Sequence, residues 1–200
     1  MNVPAVIDRQ FAIFAGGSAI LFVGIVAAMV VFVLRYNRKR HPHAEEIPGN
    51  TWLEVIWIVV PTILVMGMFV MGVRGYRLLR DVPEGAMVVK VTAFEYGWQF
   101  DYENGRQAPE LYVPVKRPIK LDITSRDVIH SFFAPDLRIK ADAVPGMKTH
   151  AWFVLDAPGE HTVLCAEYCG VGHSDMLTKI VGVPADRFDA WYADKAKERP

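Results

Sequence analysis

Both cysteines of the chain fall in one run, Cys165-Ala-Glu-Tyr-Cys-Gly-Val-Gly-His-Ser-Asp-Met176. The spacing Cys-x3-Cys-x3-His-x2-Met places two thiolates, an imidazole and a thioether within twelve residues. Soft sulfur donors combined with imidazole suit copper, above all a copper that changes oxidation state. A mononuclear blue-copper site uses one cysteine, two histidines and a weak axial methionine. This run has one thiolate too many for that and one histidine too few. Two thiolates can instead bridge two metal ions, each of which then needs an end ligand. His173 can cap one ion, and a distant histidine must cap the other. The alternative use of the pair is a Cys165–Cys169 disulfide, although two cysteines make no disulfide framework.

A histidine for the second end lies upstream. His130 sits in Asp127-Val-Ile-His-Ser-Phe-Phe-Ala-Pro135, followed by Ile139-Lys-Ala-Asp-Ala-Val-Pro-Gly146. In this order, D-V-I-H-S-F, I-K-x-D-A-V-P-G and C-A-E-Y-C-G-x-G-H-S-x-M resemble subunit II of cytochrome c oxidase. The resemblance covers nearly the whole chain. It implies a cupredoxin-like domain with a dinuclear copper A centre, held by His130, Cys165, Glu167, Cys169, His173 and Met176. Glu167 would contribute its backbone carbonyl to one copper, and its side chain would reach a magnesium shared with subunit I. The partners so implied are the haem–copper subunit I, subunit III, and cytochrome c or a similar donor.

The elements that position these residues fall into two parts. The hydrophobic fraction of 52% is high for a soluble chain. Phe11 to Leu34 is 24 residues without a charge, and Val55 to Val73 is 19. A helix needs about 20 apolar residues to cross the hydrocarbon core of a bilayer. A buried core helix is rarely so long and so uniformly apolar. We therefore expect a transmembrane helical hairpin over residues 1–80, with helices at about 11–35 and 53–76. Pro61 is tolerable inside a membrane helix. Trp52, Trp57 and Tyr76 suit interfacial positions. A signal peptide would have a basic start, a shorter apolar core and a small-residue cleavage site. Here only Arg9 precedes the first stretch, and Arg35, Arg38, Lys39 and Arg40 follow it. That cluster reads as a cytoplasmic loop, which puts both termini on the periplasmic or outer side. The membrane would be a bacterial plasma membrane or a mitochondrial inner membrane. The flanks of the second helix are ambiguous, with Arg74, Arg77 and Arg80 on the exported side. His41 and His43 lie in a turn-rich connection and read as solvated.

Glu54 begins the second apolar stretch, between Trp52 and Trp57. A carboxylate there can simply start a helix near the positive end of its dipole. The same resemblance, through Glu54-Val-Ile-Trp57 and Pro61, implies the mouth of a proton-uptake channel of subunit I.

From residue 81 the pattern changes. Met87–Phe94, Tyr96–Tyr102, Ile119–Thr124, Thr149–Leu155, Glu160–Leu164 and Leu177–Val183 read as strands broken by Pro and Gly turns. Short strands at this spacing suggest an all-β Greek-key sandwich over residues 81–200. Asp186 to Lys197 reads as a closing amphipathic helix. We expect His130 to end a strand and the cysteine run to join the last two strands. His150 and His161 read as ordinary strand residues. Tyr96 and Trp98, two apart, would share a strand face. In the family a tryptophan of the comparable aromatic segment receives the electron from cytochrome c, and Tyr96 stands where that tryptophan normally is. Tyr96 and Trp98 are thus both candidates for electron entry.

Net charge is zero but uneven: residues 1–80 carry 8 basic against 4 acidic side chains, and residues 81–200 carry 14 against 18. A mildly acidic domain beyond a basic hairpin fits a lipid bilayer on one side and a cationic partner on the other. No phosphate-binding glycine loop, nucleic-acid motif or Cys-x-x-Cys-His haem attachment is present, so nucleic acid and haem are not expected on this chain. The leading function is the electron-entry subunit of a proton-translocating cytochrome c oxidase. Nitrous oxide reductase has a similar cysteine run but no such hairpin. Quinol oxidase subunit II has the hairpin but not the ligands. A membrane-tethered copper carrier would favour an exposed, exchangeable site.

Overall fold

The computed structural model describes residues 3–43, 46 and 48–194. Helices α1 (Val3–Arg35) and α2 (Thr51–Arg80) are longer than their apolar stretches alone imply. Polar side chains set their inner ends. The Asn37 amide donates to the Leu34 carbonyl at 2.9 Å, and the Asn37 side-chain oxygen accepts from the Lys39 and Arg40 N–H groups. At the start of α2, Asn50 Oδ1 accepts from the Trp52 and Leu53 N–H groups at 3.0 and 3.2 Å. Asn50 thus caps α2, and Glu54 lies in its first turn.

In the most apolar window of each helix no residue is buried within the chain. Apolar side chains point outward all round, so these helices need an apolar solvent rather than a protein core. The hairpin carries a close polar contact between its helices. Gln10 Nε2 donates to the Met71 carbonyl at 3.2 Å, and a Cβ on buried Gly75 would come within 2.6 Å of Gln10 Oε1.

The remaining chain forms two five-stranded sheets. One contains β1 (Met87–Phe94), β2 (Gly97–Tyr102), β3 (Gln107–Ala108), β5 (Ile119–Ser125) and β8 (Thr149–Phe153), in the order β3-β2-β1-β5-β8. The other contains β4 (Leu111–Pro114), β6 (His130–Ala134), β7 (Ile139–Ala143), β9 (Gly159–Cys165) and β10 (Leu177–Val183), in the order β4-β10-β9-β6-β7. β1 lies parallel to β5 and β10 parallel to β4; the other pairings are antiparallel. Strict alternation buries Ile119, Leu121 and Ile123 of β5, while Lys120 and Asp122 turn outward into an ion pair at 2.9 Å. The sheets meet through Trp98 and Phe100, which pack edge-on against Phe132 with centroids 5.4 and 6.4 Å apart. Tyr102 joins them by hydrogen bonds: its hydroxyl donates to the Tyr112 carbonyl at 2.9 Å and accepts from the Tyr112 N–H at 2.8 Å.

Three expectations need correction. His130 begins β6 instead of ending a strand. The preceding residues, Arg126–Ile129, form a loop closed by Ser125 Oγ, which donates to the Val128 carbonyl at 2.5 Å. Tyr96 is not on a strand. Phe94 pairs with Gly97, so Glu95 and Tyr96 form the turn of the β1–β2 hairpin. Tyr96 is 40% exposed there and Trp98 only 4%, and the two do not share a face. The closing helix, α3, runs Ala185–Ala193; the expected extension through 195–197 lies outside the described residues.

Arg106 secures α3. Its guanidinium stacks 4.2 Å over the Trp191 ring and donates to the carbonyls of Trp191, at 2.8 Å, and of Asp194. Asn104 Nδ2 adds a bond to the Tyr192 carbonyl at 2.6 Å. Arg106→Ala should therefore cost about 3 kcal/mol and lower the melting temperature by roughly 10 °C. Arg106→Lys should recover only part of that, because an ammonium cannot reproduce the planar fork. Melting followed by tryptophan fluorescence checks this; an unchanged Tm for Arg106→Ala would mean that α3 is held by its apolar face alone.

Candidate metal centre

The centre is assembled at one end of the sandwich. Cys165 is the last residue of β9, and Met176 immediately precedes β10. Between them the loop makes a 3-10 turn at His173–Asp175. β6 runs beside β9 with Phe132 opposite Cys165, and the Ala166 N–H donates to the Ser131 carbonyl at 3.0 Å. That register delivers His130 to the start of the cysteine loop.

Each sulfur faces its own imidazole. Cys165 Sγ lies 3.8 Å from His130 Nδ1, and Cys169 Sγ lies 3.6 Å from His173 Nδ1. The two sulfurs are 3.9 Å apart and unbonded, which removes the disulfide alternative; a disulfide needs about 2.05 Å. Met176 Sδ stands 3.8 Å from Cys169 Sγ, and the Glu167 carbonyl oxygen 3.3 Å from Cys165 Sγ. His130 and Met176 are fully buried, both cysteines are buried, and His173 is half-buried. The Glu167 side chain is exposed, so of this residue only the carbonyl belongs to the cluster. Ligand atoms of His130, Cys165 and Cys169 all fall within 4.8 Å of one another.

Local electrostatics prepare the donors. Asp127 Oδ1 lies 2.9 Å from His130 Nε2. A carboxylate only accepts, so Nε2 carries the proton and Nδ1 presents its lone pair to the sulfur side. Desolvation is the largest single influence on the Asp127 carboxyl and pushes it upward. The hydrogen bond from His130 and the N–H groups of Glu95 and Val128 together outweigh it, and the carboxyl is lowered to about 2. Burial first, and then the neighbouring Cys165, push the Cys169 thiol up to about 11. Without a cation this thiol holds its proton at neutral pH; a bound metal would favour the thiolate. Two thiols, two imidazoles, a thioether and a carbonyl fit a soft, redox-active metal and would be a poor set for a hard one.

Of the other residues singled out, Trp98 lies edge-on to His130 with centroids 6.3 Å apart, behind the cluster. Tyr96 lies over the loop glycines Gly170 and Gly172. His150 exchanges hydrogen bonds with Arg80, and His161 Nδ1 is 3.5 Å from Asp136 Oδ2, so neither joins the site. Glu54 is exposed in the first turn of α2, and His41 and His43 are exposed. Asp127 was missed as a functional residue. Its signal was its place three residues before His130 in a turn, within reach of the ring nitrogen that faces away from the cysteines.

Known proteins resemble the chain in both of its parts. Residues 107–183 match the model of the cytochrome c oxidase subunit II periplasmic domain, and residues 12–74 that of its transmembrane domain. Cytochrome c oxidase subunit 2 of Alkalihalophilus pseudofirmus is 35% identical over 188 residues, covering 88% of this chain and 55% of that one. The chain thus spans little more than half the length of that relative. The probable subunit 2 of Rickettsia prowazekii is 30% identical, over 94% of this chain and 67% of that one. Among solved structures, the periplasmic domain of subunit II of the Bradyrhizobium japonicum oxidase superposes with a TM-score of 0.55 at 28% identity, covering 60% of this chain and 100% of that one. With both family domains matched over most of its length, and the buried Cys/His cluster inside the second match, the chain belongs to the cytochrome c oxidase subunit II family.

Proposed function

We propose that this chain is the electron-entry subunit of a haem–copper cytochrome c oxidase. The observation that carries the reading is the pairing of each cysteine sulfur with a separate imidazole, at 3.8 and 3.6 Å, on either side of a sulfur pair. Such a set suits two metal ions with shared thiolates and one imidazole at each end. Two copper ions there would supply a reversible one-electron store between cytochrome c and the haem of subunit I, where oxygen is reduced to water and protons are translocated. Cys165 and Cys169 would hold both ions. His130 and His173 would cap the ends, and Met176 and the Glu167 carbonyl would be the weak ligands. Burial of His130, both cysteines and Met176 excludes water and supports a retained metal over the exchangeable one of a copper carrier.

The remaining assignments follow the same reading. The exposed Glu167 side chain would be free to reach a magnesium at the boundary with subunit I. Tyr96, in its exposed turn, is the better contact for the donor, and Trp98 the residue behind it. Glu54, exposed in the first turn of α2, would serve the entrance of the proton-uptake path of subunit I. The hairpin would cross the membrane twice and pack beside subunits I and III, with the copper domain on the periplasmic or outer side.

Metal analysis of the purified chain should give two coppers, with one unpaired electron shared by both nuclei in the paramagnetic resonance spectrum. A single copper, or an electron confined to one nucleus, would sink the assignment. Because the Cys169 thiol is raised to about 11, loading should release protons, and copper affinity should fall as pH is lowered from there through neutrality. A pH-indicator titration during loading checks the sign.

Met176→Leu should preserve the fold, since the volume is nearly conserved at this buried position. It should shift the reduction potential, because weak axial ligands tune copper sites. Redox titration decides: an unchanged potential would make Met176 an apolar filler.

A further inference from the structure

Asp127 uses both carboxylate oxygens. Oδ1 holds His130 Nε2 at 2.9 Å, and Oδ2 accepts from the Glu95 N–H at 2.7 Å. Glu95 is the first residue of the β1–β2 turn, and Tyr96 is the second. The Tyr96 ring lies directly on the backbone between Cys169 and His173. A Cβ built on Gly170 would stand 2.5 Å from Tyr96 Oη, and one on Gly172 would stand 2.6 Å from Tyr96 Cδ2 and 2.7 Å from Cγ. Gly170 has φ +136°, which favours glycine whatever lies nearby. Gly172 has φ −89°, a backbone that alanine adopts without strain. At Gly172, therefore, the ring of Tyr96 is what requires a bare backbone.

These contacts form a continuous line from one imidazole to the other: His130, Asp127, the Glu95–Tyr96 turn, Gly170 and Gly172, then His173. No strand pairing holds this stretch of the loop. Its own bonds are short-range, from the His173 N–H to the Gly170 carbonyl at 3.2 Å and from the Asp175 N–H to the Gly172 carbonyl at 3.1 Å. We propose that Tyr96 is a positioning residue that, together with Asp127, braces the His173 end of the metal centre against the His130 end. This rests on the reading of the site as a dinuclear centre capped by both imidazoles. The brace fixes the imidazole-to-imidazole separation before any metal arrives, so the ligands need not move when the charge of the centre changes by one electron. The aromatic ring makes the contact, so phenylalanine can replace tyrosine but alanine cannot.

The test uses the full chain in detergent, first without metal. Tyr96→Ala should speed hydrogen exchange at the His173 and Asp175 amides about tenfold, and Tyr96→Phe should restore the wild-type rate. Gly172→Ala should produce a similar acceleration in the wild-type background and add less than about twofold in the Tyr96→Ala background, where the ring is already gone. Loaded with copper, Tyr96→Ala should make the hyperfine pattern uneven between the two nuclei, and Tyr96→Phe should keep it even. Wild-type exchange rates in Tyr96→Ala, or equal effects of Gly172→Ala in both backgrounds, would overturn the brace. A wild-type chain that binds one copper would overturn the dinuclear reading instead, and the brace would then be decided by the metal-free exchange cycle.

Discussion

The register between β6 and β9 is the constraint on which the centre depends. His130 and Cys165 are 35 residues apart, and only the pairing of Phe132 with Cys165 brings them together. Side chains alternate along a strand, so a one-residue slip would turn His130 away from the sulfurs and expose Phe132. The core prevents this. Phe132 is fully buried between Trp98 and Phe100, and the Ala166–Ser131 hydrogen bond extends the pairing past the end of β9. The placement of the clustered donors is thus a by-product of aromatic packing between the sheets.

Much of this could be read in the residues themselves. The cysteine run carries its donors at fixed spacing, and two long uncharged stretches can hardly be anything but helices in an apolar medium. Strands with strict alternation, such as β5, were equally plain. What escaped was short or irregular. β3 has two residues and β4 four, all of β4 buried, which leaves no alternation to detect. β6 and β7 are five-residue strands around a tight turn at Pro135–Leu137, and their neighbours decide their limits. Tyr96 reads as strand by composition, but the pairing of Phe94 with Gly97 makes it a turn residue. The clustered side chains were visible because they are adjacent in sequence or carried in a recognisable motif. Asp127 was not, because its role exists only once the loop after β5 has closed.

The two parts of the chain solve the problem of polar backbone differently. α1 and α2 satisfy it internally, turn by turn, and leave their apolar side chains outward. The sandwich satisfies it between strands and turns its apolar side chains inward. Asn37 and Asn50 serve the inner ends of the two helices, where each supplies side-chain groups to backbone that the helix ends leave unpaired.

The placement of β10 has a temporal consequence. The last strand among the described residues sits inside its sheet, between β4 and β9, and begins directly after Met176. Until residues up to 183 have left the ribosome, β4 has no neighbour in that sheet and the loop that carries Cys169 and His173 has no second anchor. A growing chain therefore holds at most an incomplete set of the clustered side chains. The full set of donors can come together only after β10 has docked, and a truncation that removes β10 would scatter them while leaving His130, Cys165, Cys169 and His173 in the polypeptide.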